Sequence, residues 1–285
     1  MSNIFSSSGW DLPWWGTMVA IGLLNFGIAI VLFAKSVKQQ RRDTDNAKYF
    51  LLLRVLGLLF VTVALYRTVF VSSYPNRLAW FDTLFNSPFV IRSMAFFAEL
   101  SFIGMITVIL RKLSKDLLQD KRFALVSKLP FVAFGCIALA QPLAFGGLIY
   151  QSLIMFAIEE TLWAVAFISI VPVVIAGIKQ SKKADPPEKG YKAFLLIMAV
   201  WCCGYLAFQC LFALPFMHYV GLAQDIGRVI PPDALWQSIF NYTATRDFSI
   251  WGGLGFFIWH SGYFSICSWM TLFFITAPRK QNCGR

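Results

Sequence analysis

Seven uninterrupted apolar runs decide what this chain can fold into. They cover residues 14–34, 49–71, 89–110, 125–145, 153–178, 193–216 and 253–277. A helix of about 20 apolar residues crosses the hydrocarbon core of a bilayer. Lipid offers no partner to a free backbone N–H or C=O, so a spanning segment is a helix or a strand of a closed barrel. Barrel strands alternate apolar and polar residues over about ten positions. These runs are continuous, so they predict an all-α, polytopic fold of seven transmembrane helices in one domain, 1–285. Composition agrees: 58% of residues are hydrophobic and only 14% charged, with 29 Phe and 10 Trp. A soluble domain carries about 25% charged residues, so neither a water-exposed globule nor a disordered chain fits.

Basic residues set the expected orientation. Lys35, Lys38, Arg41, Arg42 and Lys48 follow the first run. Arg111, Lys112, Lys115, Lys121, Arg122 and Lys128 follow the third. Lys179, Lys182, Lys183, Lys189 and Lys192 follow the fifth, and Arg279, Lys280 and Arg285 lie in the tail. The alternate connections hold only Arg77, Arg228 and Arg246. Cytoplasmic loops carry the excess of Lys and Arg. The N-terminus is therefore expected outside and the C-terminus in the cytoplasm, as a multi-pass protein of the cell membrane. The flank 1–13 has no Lys or Arg, so the first run reads as a retained helix rather than a cleaved signal. The net charge of +11 is divided among short loops. That argues for the lipid bilayer as partner and against nucleic acid.

Most cysteines, Cys136, Cys202, Cys203, Cys210 and Cys267, lie inside apolar runs and imply no disulfide framework. The outer connection 217–252 is the largest extramembrane piece. Within it, 234–240 follows Pro231-Pro232-Asp233 and reads either as a short amphipathic helix or as an ordered loop.

Ionisable residues inside the runs are costly and usually face the bundle interior or a cavity. Arg67 lies near the outer end of run two, and Arg92 near the outer end of run three. Glu99 falls near mid-membrane. Glu159 and Glu160 fall about 10 Å below the outer interface, and His260 lies at similar depth in run seven. These six residues from four runs are expected to form one buried polar cluster, a ligand or proton site. Arg92 and Glu99 share a helix face, but about 10 Å of rise separates them, which disfavours a direct bridge. Glu159 and Glu160 are turned about 100° apart, so they need different partners. The competing reading is a structural ion network that fixes helix register. No HxxxH or HExxH spacing is present, so neither a metal nor another cofactor is expected. The last run has no lysine for retinal, and there is no phosphate-binding loop and no GxSxG.

The residues Tyr66-Arg67, Trp80-Phe81-Asp82, Arg92-Ser93, Ala98-Glu99 and Ile158-Glu159-Glu160-Thr161-Leu162-Trp163 resemble a group of seven-helix membrane proteins with no established activity. The similarity is best over runs two to five and weak over run seven. It implies that these polar positions act as a set, and it implies no reaction.

Three classes of function remain open at this level. The first is binding or movement of a small polar solute, ion or proton. The second is an intramembrane enzyme acting on a lipid or isoprenoid, with a glutamate as acid or base and the arginines holding a phosphate. The third is a heptahelical sensor or an accessory subunit of a membrane complex. The expected occupant is a small polar ligand or a lipid.

Overall fold

The computed structural model describes residues 9, 11–42, 46–182, 189–247, 249–252 and 254–278. Helices α1 (Asp11–Arg42), α2 (Ala47–Val69), α3 (Pro88–Leu117), α4 (Leu129–Tyr150) and α5 (Leu153–Ser181) follow one another. Then α6 (Lys189–Phe208) passes through a π-helical turn, Gln209–Ala213, into α7 (Leu214–Asp225). The short α8 (Ala234–Phe240) and the long α9 (Leu254–Ile275) complete the order. Among the described residues the protein is all-α apart from three two-residue strands.

Among the described residues, six helical segments are long and apolar enough to cross a membrane: α1 to α5, and the run Gly190–Asp225 that joins α6 to α7. Helix α9 has 22 residues and coincides with the seventh apolar run, but it is not one of the six. Its Trp259, His260, Ser261, Tyr263, Ser265 and Ser268 dilute its hydropathy. The sixth run also needs correction, because the helix does not stop near 216. It continues to Asp225, and the outer connection is correspondingly shorter.

Helix α3 is the centre of the bundle, with 61% of its most apolar window buried. Phe102, Ile103, Met105, Ile106, Ile109, Leu110 and Leu113 form its share of the core. Large apolar side chains that face outward, such as Leu24 on α1 and Val200 on α6, are what lipid accepts at no cost. Helices draw close where a side chain is missing. A Cβ on Gly57 of α2 would stand 2.4 Å from Ile275 Cγ1 of α9, and one on Gly147 of α4 would stand 3.0 Å from the Phe156 ring of α5.

A small cap closes the end of the bundle between α2 and α3. Strands β1 (Ser72–Ser73) and β2 (Leu78–Ala79) pair antiparallel, and β3 (Thr243–Ala244) joins β2 in parallel. Beneath them Val71, Leu78, Trp80, Trp251 and Phe257 form a second apolar cluster. Asn86 fixes this turn from inside. Its Oδ1 accepts from the Phe81 N–H at 2.9 Å and its Nδ2 donates to the Val71 carbonyl at 2.7 Å. Arg77, at the hairpin tip, donates to the Ile149 carbonyl at 2.9 Å. It thereby satisfies the C-terminal end of α4, where a cation also suits the helix dipole. The segment 234–240 is helical, and Ser87 Oγ donates to the Ile239 carbonyl at 2.6 Å, which ties α8 to the start of α3.

Candidate functional site: an aromatic-walled cavity with an ionic floor

Two residues on α3 start the site. Arg92 Nη1 donates to Glu99 Oε1 at 2.8 Å and Arg92 Nη2 to Glu99 Oε2 at 3.0 Å. The expectation that they stand too far apart is overturned. Two long side chains on one face reach toward each other and span the two turns between their backbones. Gln141 of α4 closes the unit, accepting from Arg92 Nη2 at 2.6 Å and donating to Glu99 Oε2 at 3.0 Å. Sequence reading did not select Gln141, a lone amide in the fourth apolar run.

On α5 the adjacent glutamates take different partners, as the 100° rotation requires. Glu159 Oε1 lies 3.7 Å from Arg92 Nη1, an ion-pair distance longer than a hydrogen bond. Glu160 turns toward α6. It accepts from Tyr205 Oη at 3.2 Å and from Gln209 Nε2, and Gln209 Nε2 also reaches Tyr205 Oη at 2.7 Å. Among the described residues no cationic nitrogen lies within 4 Å of Glu160. Gln209 Oε1 is buried without a hydrogen-bond partner.

Gln209 opens the π turn, and such turns occur frequently at functional sites. Pro215 follows closely. In a regular helix its ring would collide with the Leu211 carbonyl, and the wider turn relieves that contact. The α6–α7 segment runs antiparallel along α5. A Cβ on Gly177 of α5 would meet Leu195 of α6, and one on Gly221 of α7 would meet Leu153 of α5. Between them Gln209 reaches Glu160, and Thr161 Oγ1 and His218 Nε2 are 3.2 Å apart. At the far end of α7 Asp225 accepts from Ser152 Oγ at 2.5 Å and from the Ile154 N–H at 3.2 Å, at the start of α5.

Arg67 approaches from α2. Its guanidinium lies 4.9 Å from the Phe264 ring centroid, 5.7 Å from Tyr74 and 6.0 Å from Tyr263. No carboxylate of the described residues is within 4 Å of it, so direct pairing of Arg67 with a glutamate is not seen. Tyr74, in the turn after β1, has its Oη buried without a partner. Desolvation pushes its phenol above the ordinary value, so it faces the site as a neutral O–H.

His260 does not join the others. It is buried at 2% exposure among the rings of Phe264 at 4.5 Å, Trp14 at 5.3 Å and Phe256 at 5.7 Å. The cause is helical phase. Trp259, Tyr263 and Cys267 recur every four residues and line the cavity, while His260 and Phe264 occupy the next face, toward α1 and α2. Asn25 lines a separate pocket of about 10 Å³ with Thr68 and Ser268.

Between α2, α3, α5, the α6 π turn and α9 lies a cavity of about 340 Å³, within the range of small-ligand sites. Arg67, Arg92, Glu99, Glu159 and Glu160 all line it. The remaining wall is largely aromatic: Tyr74, Phe102, Phe156, Trp163, Trp201, Tyr205, Phe208, Phe256, Trp259 and Tyr263. Phe208 on α6 is 46% exposed and Trp259 on α9 is 44% exposed, which places the opening between these two helices. Deeper down the same helices meet, with Phe194 and Phe274 ring centroids 5.6 Å apart.

No family model, curated protein or solved structure matches this chain. The functional reading rests on the geometry of this cavity.

Proposed function

We propose that the chain is a seven-helix protein of the cell membrane, N-terminus outside and C-terminus cytoplasmic, whose cavity binds a small polar ligand or a proton. Helix α9 serves as the seventh crossing, and the distribution of Lys and Arg supports the orientation. One observation carries the reading: three carboxylates and two guanidiniums from three helices converge on one cavity of about 340 Å³. A network that only fixes helix register closes on itself. Arg92 and Glu99 pair cation with anion, and Glu160 has no cationic partner among the described residues. With every group ionised the set has one negative charge in excess, which a proton or a cationic group of a ligand neutralises.

Infrared difference spectroscopy of the protein in lipid nanodiscs tests this. Lowering the external pH should produce a protonated-carboxyl band that disappears in Glu160→Gln and persists in Glu99→Gln. A spectrum with no responsive carboxyl group counts against the site.

The opening between Phe208 and Trp259, on helices that face lipid, favours one second reading, an intramembrane enzyme that admits a lipid sideways. Turnover of a lipid substrate that depends on Glu159 or Glu160 would establish it.

A further inference from the structure

We infer that the cavity takes a small protonated amine with an apolar body, its ammonium held by Glu160 and Gln209. This rests on the proposed reading of the cavity as a ligand site, and it names the ligand's chemistry.

The hydrogen-bond inventory around Glu160 decides the sign. Tyr205 Oη–H is directed at Glu160. Both N–H groups of Gln209 are accounted for, since its Nε2 meets Glu160 and Tyr205 Oη. Reversing the Gln209 amide would set its oxygen against the carboxylate, so this orientation is the one the network requires. At Glu160 and Gln209 what remains unfilled is acceptor capacity: Gln209 Oε1, buried at a residue 3% exposed, and the free lone pairs of Glu160, while the unpartnered donors of the wall, Arg67 Nε, Tyr74 Oη, Arg92 Nε and Trp201 Nε1, belong to other residues. A ligand there must bring donors. An ammonium group brings up to three N–H donors together with the positive charge that Glu160 lacks. An alcohol brings one donor and no charge, and a carboxylate or phosphate brings acceptors and the wrong charge.

The walls suit the same ligand. Trp201 and Tyr205 stack at 5.8 Å and 19° on α6, and Trp259 and Tyr263 stack at 5.4 Å and 16° on α9. Aromatic faces attract cations and cover apolar carbon equally well. The two arginines do not oppose this placement. Arg92 is engaged by Glu99 and Glu159, and Arg67 lies over the rings of Phe264, Tyr74 and Tyr263. A proton alone would neutralise Glu160, but it would leave Gln209 Oε1 unpartnered and the cavity without an occupant.

The test uses the full chain in lipid nanodiscs at neutral pH with three probes that share one phenethyl body: phenethylammonium, neutral 2-phenylethanol and anionic 3-phenylpropanoate. Quenching of tryptophan fluorescence reports binding, because Trp163, Trp201 and Trp259 line the cavity. The ammonium should bind saturably and about tenfold or more tightly than the alcohol. Glu160→Gln and, independently, Gln209→Leu should each weaken it by about tenfold, with helix content by circular dichroism unchanged. If one variant fails to fold, the other carries the comparison. Equal binding of ammonium and alcohol, or an ammonium affinity that survives both substitutions, overturns the proposal. Binding of the propanoate alone overturns it while leaving the ligand-cavity reading standing. Binding of none of the three also overturns it, and the infrared carboxyl response then decides the broader reading separately.

Discussion

The Arg92 guanidinium and the Glu99 carboxylate face each other through two bonds, 2.8 and 3.0 Å long, across seven residues of α3. Gln141 of α4 joins both, accepting from Arg92 Nη2 and donating to Glu99 Oε2. This closed unit and the open Glu160 share one cavity, and they should behave differently when altered.

Removing Arg92 leaves Glu99 and Glu159 without their countercharge. Arg92→Ala should cost about 3–5 kcal/mol, the range for breaking a buried pair. The control is Arg122→Ala, whose partner Asp120 is 52% exposed and whose effect should be about 0–1 kcal/mol. Thermal unfolding in a mild detergent compares the two. The double change Arg92→Met with Glu99→Gln should be less damaging than Arg92→Ala, because one orphaned charge disappears with the cation.

Glu99 and Glu160 should separate structure from binding. Glu99→Gln breaks a bidentate, charge-assisted contact and should lower the melting temperature. Glu160→Gln removes no ion pair of the described residues and should leave the melting temperature close to that of the unaltered chain. Matched losses in both variants would mean that Glu160 belongs to the same structural network as Glu99.

The contact of α2 with α9 depends on Gly57. A larger residue there meets Ile275 at once, and Gly57→Val should cost about 1–3 kcal/mol through overpacking. Gly135→Val on α4 is the counterpart, since a Cβ there meets nothing within 4 Å. Equal stabilities of the two variants by thermal unfolding would argue against the α2–α9 packing.

Orientation is open to labelling. Val229 is 87% exposed in the connection after α7, and Lys182 is exposed at the end of α5. A cysteine at 229 should react with an impermeant maleimide on intact cells, and one at 182 only after permeabilisation, each against the unmodified chain as background. The reverse pattern would invert the topology.

Much of the helical framework is legible in the sequence because a spanning helix needs only continuous apolar length. The depths of Arg92, Glu99, Glu159 and Glu160 follow from counting residues along such helices, and so does the shared face of Arg92 and Glu99. Reach is not legible in the same way, since backbone rise ignores two long side chains that extend toward each other. His260 shows a second limit. Its depth matches the cluster, but the rotation of α9 is set by packing on other helices, as where Trp14 of α1 meets the rings of Phe257 and His260. The π turn has no signature in hydropathy, so the aim of Gln209 at Glu160 emerges only in three dimensions. Tyr74 lies in a turn, where no periodicity marks it.

The most direct test of the central claim is a density map of the full chain in a lipid nanodisc, read at the cavity between Glu160, Gln209 and Trp259. The account predicts non-protein density there within hydrogen-bond distance of Glu160 and Gln209 Oε1, with Arg92 still paired to Glu99. A cavity filled by the protein's own side chains, with Glu160 closed onto Arg67 or Arg92, would contradict it.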